Sequence, residues 1–115
     1  MDISNEQLLI PLIQNVVMNT PGVSGLSENF TEQLSKSLLG IDSPNKGIRL
    51  GKDKKGMLID IYVTVDYGEN IPEVAWNIQE KVAKELKSIT NVNVGKIDIH
   101  VQGVDFKRIN RRNEC

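Results

Sequence analysis

The chain is short of the residues that carry most protein chemistry. Among its 115 residues there is one cysteine, one histidine and one tryptophan, and aromatics amount to 4%. The lone cysteine, Cys115, leaves no partner for an intrachain disulfide. The lone histidine, His100, excludes a two-histidine metal site or relay built within one chain. The net charge of −1 lacks the strongly basic balance of a dedicated nucleic-acid binder. No apolar run approaches the roughly 18 residues of a membrane span. Met1 to Pro21 has no basic start, carries Asp2 and Glu6, and is interrupted by Pro11, so a signal peptide is not expected. A cytoplasmic protein is the simplest expectation.

What is present is an ordinary globular composition, 39% hydrophobic and 25% charged. A chain of this size buries about two thirds of its unfolded surface, enough for one core without staples. The expected organisation is a single domain over residues 1–106 followed by a basic tail over 107–115.

Ser4-Asn5-Glu6-Gln7 has the form of a capping box. Leu8, Leu9, Leu12, Ile13, Val16 and Val17 then keep a helical rhythm. Pro11 inside it predicts a kink or a late helix start. Val23 to Leu26 reads as a short strand between Gly22 and Gly25. Glu28 to Leu39 reads as a second helix on Phe30, Leu34 and Leu38, and residues 42–47 as a loop. The plainest strand is Met57 to Tyr67, with Met57, Ile59, Ile61, Val63, Val65 and Tyr67 on the core phase and Asp60, Thr64 and Asp66 on the wet one. Ile48 to Lys52 pairs with it through a turn at Asp53-Lys54-Lys55-Gly56.

Pro72 suits an early helical position. From there Ile71, Val74, Ala75, Ile78, Val82, Leu86 and Ile89 form one stripe of a long helix. Ile97, Ile99 and Val101 alternate with Asp98, His100 and Gln102 in a last strand, and phase shifts after Gly95 and Gly103 predict bulges or strand ends. Alternating strands need cover on one face only. The fold class is therefore α+β in two layers, a mixed or antiparallel sheet with its helices packed on one face.

Few motifs offer chemistry. Gly51 to Gly56 has the spacing of a phosphate loop but is followed by Met57-Leu58 instead of Lys and Ser or Thr, and reads as a hairpin. Gly22-Val23-Ser24-Gly25 spells a GxxG clamp without basic residues at its centre. Asp60, Asp66, Glu69 and Asp98 supply carboxylates, but alternating carboxylates on an open sheet lack the enclosed site that splits a catalytic pair. His100 is expected on the wet face with no nucleophile beside it, so His100→Gln should change stability by no more than about 0.5 kcal/mol. No catalytic, cofactor or metal residue is assigned. The tentative partner-binding residues are Trp76, which falls off the helix stripe and is either packed or an exposed anchor, and Lys107, Arg108, Arg111 and Arg112. Those four, against Glu114, give the tail a formal +3. Near an anionic surface each is worth about 1 kcal/mol.

Several fragments together resemble the alkaline shock protein family. They are Pro21-Gly22-Val23, Lys46-Gly47-Ile48, Val65-Asp66-Tyr67-Gly68, Asn70-Ile71-Pro72, and the ending Ile97 to Phe106 that includes Val101-Gln102-Gly103-Val104. The likeness runs over roughly residues 3 to 106. It implies a small cytoplasmic α+β protein of the envelope stress response in Gram-positive bacteria, without enzymatic activity or cofactor. Some members are held at the membrane by a separate small membrane protein. The functional expectation is an adaptor or scaffold for cell-envelope homeostasis working through protein–protein contacts. A small membrane anchor protein and self-association are the partners considered, and membrane contact would be peripheral. A nucleic-acid-binding or regulatory module using the basic tail and the sheet is the alternative, and nucleic acid is not the favoured partner.

Overall fold

The computed structural model of the protein describes residues 3–27 and 46–106. The expected Glu28–Leu39 helix, residues 42–45 of the loop and the basic tail lie outside them.

The strand read most easily from sequence is the spine of the molecule. In β3 (Gly56–Asp66), Met57, Ile59, Ile61, Val63 and Val65 are all buried on one face. Every other strand pairs with it. β4 (Val94–Asp105) runs parallel along one edge, from Met57↔Val94 to Asp66↔Asp105. The opposite edge is shared by two antiparallel strands. β2 (Ile48–Asp53) lies against Gly56 to Ile61, and β1 (Val23–Leu26) against Val63 to Val65. They run in the same direction, so they form one edge strand interrupted by residues 28–45. At the join the Ser27 N–H donates to the Tyr62 carbonyl and the Tyr62 N–H donates to the Gly47 carbonyl, both at 2.8 Å. The sheet is mixed.

The β2–β3 hairpin turns through Lys54 and Lys55, with the Asp53 carboxylate accepting the Lys55 N–H at 2.8 Å. Gly56 leaves the turn at φ +136, and a Cβ there would collide with the Asn93 carbonyl oxygen. No residue but glycine takes that backbone without strain.

Parallel β3 and β4 need a crossover, and α2 (Ile71–Ile89) supplies it. Asn70 caps it, accepting the Glu73 N–H at 3.2 Å, and Pro72 occupies the first turn. The helix stops at Thr90, whose N–H and hydroxyl both donate to the Leu86 carbonyl, at 2.9 and 3.0 Å. Val74, Ile78, Val82 and Leu86 are its buried stripe. They meet Leu9, Ile10, Ile13 and Val17 of α1 (Ile3–Met18) and the odd residues of β3 in one core. Both helices cover the same sheet face, as the alternation requires.

Some expectations are corrected. α1 begins at Ile3 and runs through Pro11, so there is no late start. Pro11 is tolerated because it faces solvent. Leu8 is exposed, off the arc that carries Leu9, Ile13 and Val17 inward. Ile71 and Ile89, at the two ends of α2, are also exposed. β3 ends at Asp66, so Tyr67 enters a turn and leaves the core phase. Asp66, expected wet, is buried. Its N–H donates to Gly22 and its carbonyl accepts from Glu69, so β1 and the turn close around it. The phase shifts in β4 are bulges, with Gly95 and Gln102 as the extra residues.

Candidate functional site

Helices cover one face of the sheet, and the other carries the polar side chains. The parallel register sets Tyr62 beside His100, and their rings stack at 4.4 Å and 12°. Two residues earlier, Asp60 brings Oδ1 to 2.9 Å from His100 Nε2. His100 thus has a fixed ring and a charge partner, both supplied by β3; of the two carboxylates the sequence offered for such a pair, Asp60 and Asp98, it is Asp60 that meets the imidazole. A carboxylate–imidazole pair becomes a catalytic base when a nucleophile stands beside it. The hydroxyls of Ser24, Ser27 and Thr64 bond to other groups. Ser24 donates to Asp105 at 2.7 Å, Ser27 donates to Gln102 at 2.7 Å, and the Thr64 hydroxyl lies 3.3 Å from Ser24. These bonds reach over β3 and tie β1 to β4. Asp60 and Asp98 are register neighbours, but Asp98 lies 3.6 Å from Lys96 and Asp60 faces His100. Each carboxylate has its own positive or titratable partner, which is a structural arrangement and not a split acid–base pair. Among the described residues, no group of three or more His, Cys, Asp or Glu is gathered as metal ligands.

A second feature is an apolar groove of about 820 Å³. Leu8, Leu9 and Leu12 of α1, Met57 of β3, and Ile89 and Val92 around the end of α2 form its walls, with Lys52 and Asp53 at the side. It can hold apolar groups. It presents no matched pair of titratable side chains.

The third feature is a collection of exposed large apolar residues at the β3–α2 connection, on α2 and at the end of β4. Tyr67 and Phe106 contact one another, ring to ring, at 4.7 Å. Ile71 and Val104 are exposed close by in sequence. Trp76 is 57% exposed. It lines a smaller groove of about 380 Å³ between α2 and the Val94–Ile97 stretch of β4. Lys107, Arg108, Arg111 and Arg112 lie outside the described residues. Sequence reasoning missed Tyr67 and Phe106 as surface residues. The signal available was the Tyr67-Gly68 turn, which ends the strand phase one residue earlier than the alternation suggests.

Known proteins of the same build extend the comparison. A family model for the alkaline shock protein 23 family, described as having a cell envelope-related function, matches residues 3–106. The uncharacterized protein YqhY of Bacillus subtilis (strain 168) is 31% identical over 85 residues, covering 74% of this chain and 62% of YqhY. YloU of the same organism is 30% identical over 104 residues, covering 90% of this chain and 86% of YloU. A stress response regulator gls24 homolog of Streptococcus pyogenes serotype M3 is 23% identical over 103 residues, 90% of this chain and 56% of that protein. The chain thus spans rather less than two thirds of YqhY and of the gls24 homolog. Among solved structures, a form of the MamM CTD superposes with a TM-score of 0.58 at 13% identity, over 89% of this chain and 99% of that one. At that identity the likeness is one of fold. No helix of the described residues is long and apolar enough to cross a membrane. The family match covers both described segments and the resemblance read from the sequence, and the chain belongs to the alkaline shock protein 23 family, a family with a cell envelope-related function.

Proposed function

We propose that the protein is a non-enzymatic adaptor or scaffold of the envelope stress response that works through protein–protein contacts. The observation that carries this reading is the exposed apolar surface of Tyr67, Ile71, Trp76, Val104 and Phe106. Exposed aromatics of this kind are enriched at interfaces, where a tryptophan is a frequent anchor. The family's envelope-related description and the stress-response name of the streptococcal relative agree with it. In this reading Lys107, Arg108, Arg111 and Arg112 add a salt-sensitive attraction to an acidic partner or an anionic headgroup layer. The open face favours a nucleic-acid partner less, since Asp60, Asp98 and Asp105 offset Arg49 and Lys96 on it and its Tyr62 ring is already stacked on His100.

The test is complementation of a deletion strain under envelope stress. Trp76→Ala combined with Phe106→Ser should fold normally by circular dichroism and fail to complement. Asp60→Asn, which removes the carboxylate facing the only imidazole, should complement fully. Loss of function in a folded Asp60→Asn protein, with the surface variant still active, would replace this reading with a catalytic one.

A further inference from the structure

β4 is an edge strand. Among the described residues no strand pairs with its outer side, although it is the longest strand of the sheet at 12 residues. Its core-phase residues show the consequence. Ile97, Ile99 and Val101 are only half-buried, while their register partners Ile59, Ile61 and Val63 are fully buried. A long edge with an apolar flank is a template for another strand unless something blocks it.

The sequence of this edge says which strand fits. About Ile99, the stretch Val94 to Val104 reads alike in both directions. Val94 mirrors Val104, Gly95 mirrors Gly103, Lys96 mirrors Gln102, Ile97 mirrors Val101, and Asp98 mirrors His100. A two-fold axis at Ile99 would lay β4 antiparallel on a second β4 with the pairs from Ile97 to Val101 in register. On the helix-covered face, Ile97 meets the partner's Val101 and Ile99 meets the partner's Ile99. On the polar face Asp98 meets the partner's His100, twice over. Lys96, the residue that would otherwise discourage edge pairing, falls at the bulge of the partner's Gln102, outside the regular pairs and opposite no like charge.

The backbone agrees. Gln79 of α2 donates to the Ile97 carbonyl at 2.8 Å, so that carbonyl faces the outer edge, and a partner's N–H there shares it with the Gln79 amide or displaces that amide. By the two-residue alternation of a strand, the backbone groups of Ile99 and Val101 face outward as well. A two-fold at Ile99 sets these outward groups opposite one another as hydrogen-bonded pairs. The bulges at Gly95 and Gln102 lie near the ends of the match, leaving Lys96 to Val101 regular. The groove beside Trp76, walled by Val94 to Ile97, lies where the partner's Val101 and Val104 would enter.

We propose that β4 is a self-complementary edge through which two copies of this chain pair about a two-fold axis at Ile99, joining their sheets into one of eight strands. The inference rests on β4 and not on the adaptor reading above.

The test uses the full chain carrying Cys115→Ser. Sedimentation over a concentration series should show a monomer–dimer equilibrium. Under mild oxidation Ile99→Cys should cross-link with itself, since hydrogen-bonded partners lie about 5.5 Å apart between Cα atoms. Ile97→Cys and Val101→Cys should each stay uncross-linked alone and cross-link when mixed. Asp98→Lys lies on the exposed polar side, so it decides the matter even if a cysteine variant misfolds. It should raise the dimer dissociation constant at least tenfold with an unchanged circular dichroism spectrum. A chain that stays monomeric throughout, a dimer indifferent to Asp98→Lys, or self-cross-linking of Ile97→Cys equal to that of Ile99→Cys would overturn the proposal.

Discussion

Two glycines show how a single residue can be required for different physical reasons. Gly68 has φ +92 and open space around it, whereas Gly56 has φ +136 and the Asn93 carbonyl against its Cα. Alanine at Gly68 therefore meets only the left-handed backbone term, about 1 kcal/mol. Alanine at Gly56 meets that term and a collision with backbone that cannot rotate away, so it should destabilise by at least about 2 kcal/mol. Urea melts of the two variants check this, and equal midpoints would contradict it. His100 is revised at the same scale. Its sequence position on the wet phase of a strand predicts dispensability, but the Asp60 hydrogen bond and the Tyr62 stack make it a cross-strand link. His100→Ala should cost about 1 kcal/mol, the net worth of one hydrogen bond and a partly exposed stack. In a double-mutant cycle, Asp60→Asn should lose most of its own effect once His100 is gone.

At the scale of the element, legibility followed periodicity. β3 was readable because five apolar residues alternate without a break, and α2 because its stripe persists over nearly five turns between an Asn cap and a Thr stop. The misreadings sit at the ends: Tyr67, Ile71 and Ile89 keep the period but are exposed, and Asp66 lies on the wet phase but is buried. Periodicity records which way a side chain points, and not whether anything lies there. The direction of β4 was left open for a similar reason, since alternation is the same in parallel and antiparallel strands. The crossover by α2 decides it. The prediction belonging here concerns Ile61, fully buried between α1, α2 and both neighbouring strands. Ile61→Asp places an unpaired charge in the centre of the core, at a cost of several kcal/mol against a total stability of about 5–15 kcal/mol. The variant should not fold. An unchanged circular dichroism spectrum and melting temperature would show that β3 faces the other way.

For the whole molecule, the site was less legible than the fold because it is made of exposure. Composition and spacing mark Trp76 as off the buried stripe, but only the packed arrangement shows that it is exposed beside β4, whose outer edge no strand of the described residues covers. The single tryptophan then becomes a reporter for the whole assembly. At low concentration its emission should be that of a solvated indole, and unfolding by urea should shift it little while the circular dichroism signal is lost. Raising the concentration should move the emission to the blue, as a second β4 closes the groove that Trp76 lines. The midpoint of that shift should coincide with the dimerisation midpoint from sedimentation and move to higher concentration in Asp98→Lys. A blue emission already present at the lowest concentration, with a large red shift on unfolding, would mean that the indole is packed within the monomer. The exposed surface would then be confined to Tyr67, Ile71, Val104 and Phe106.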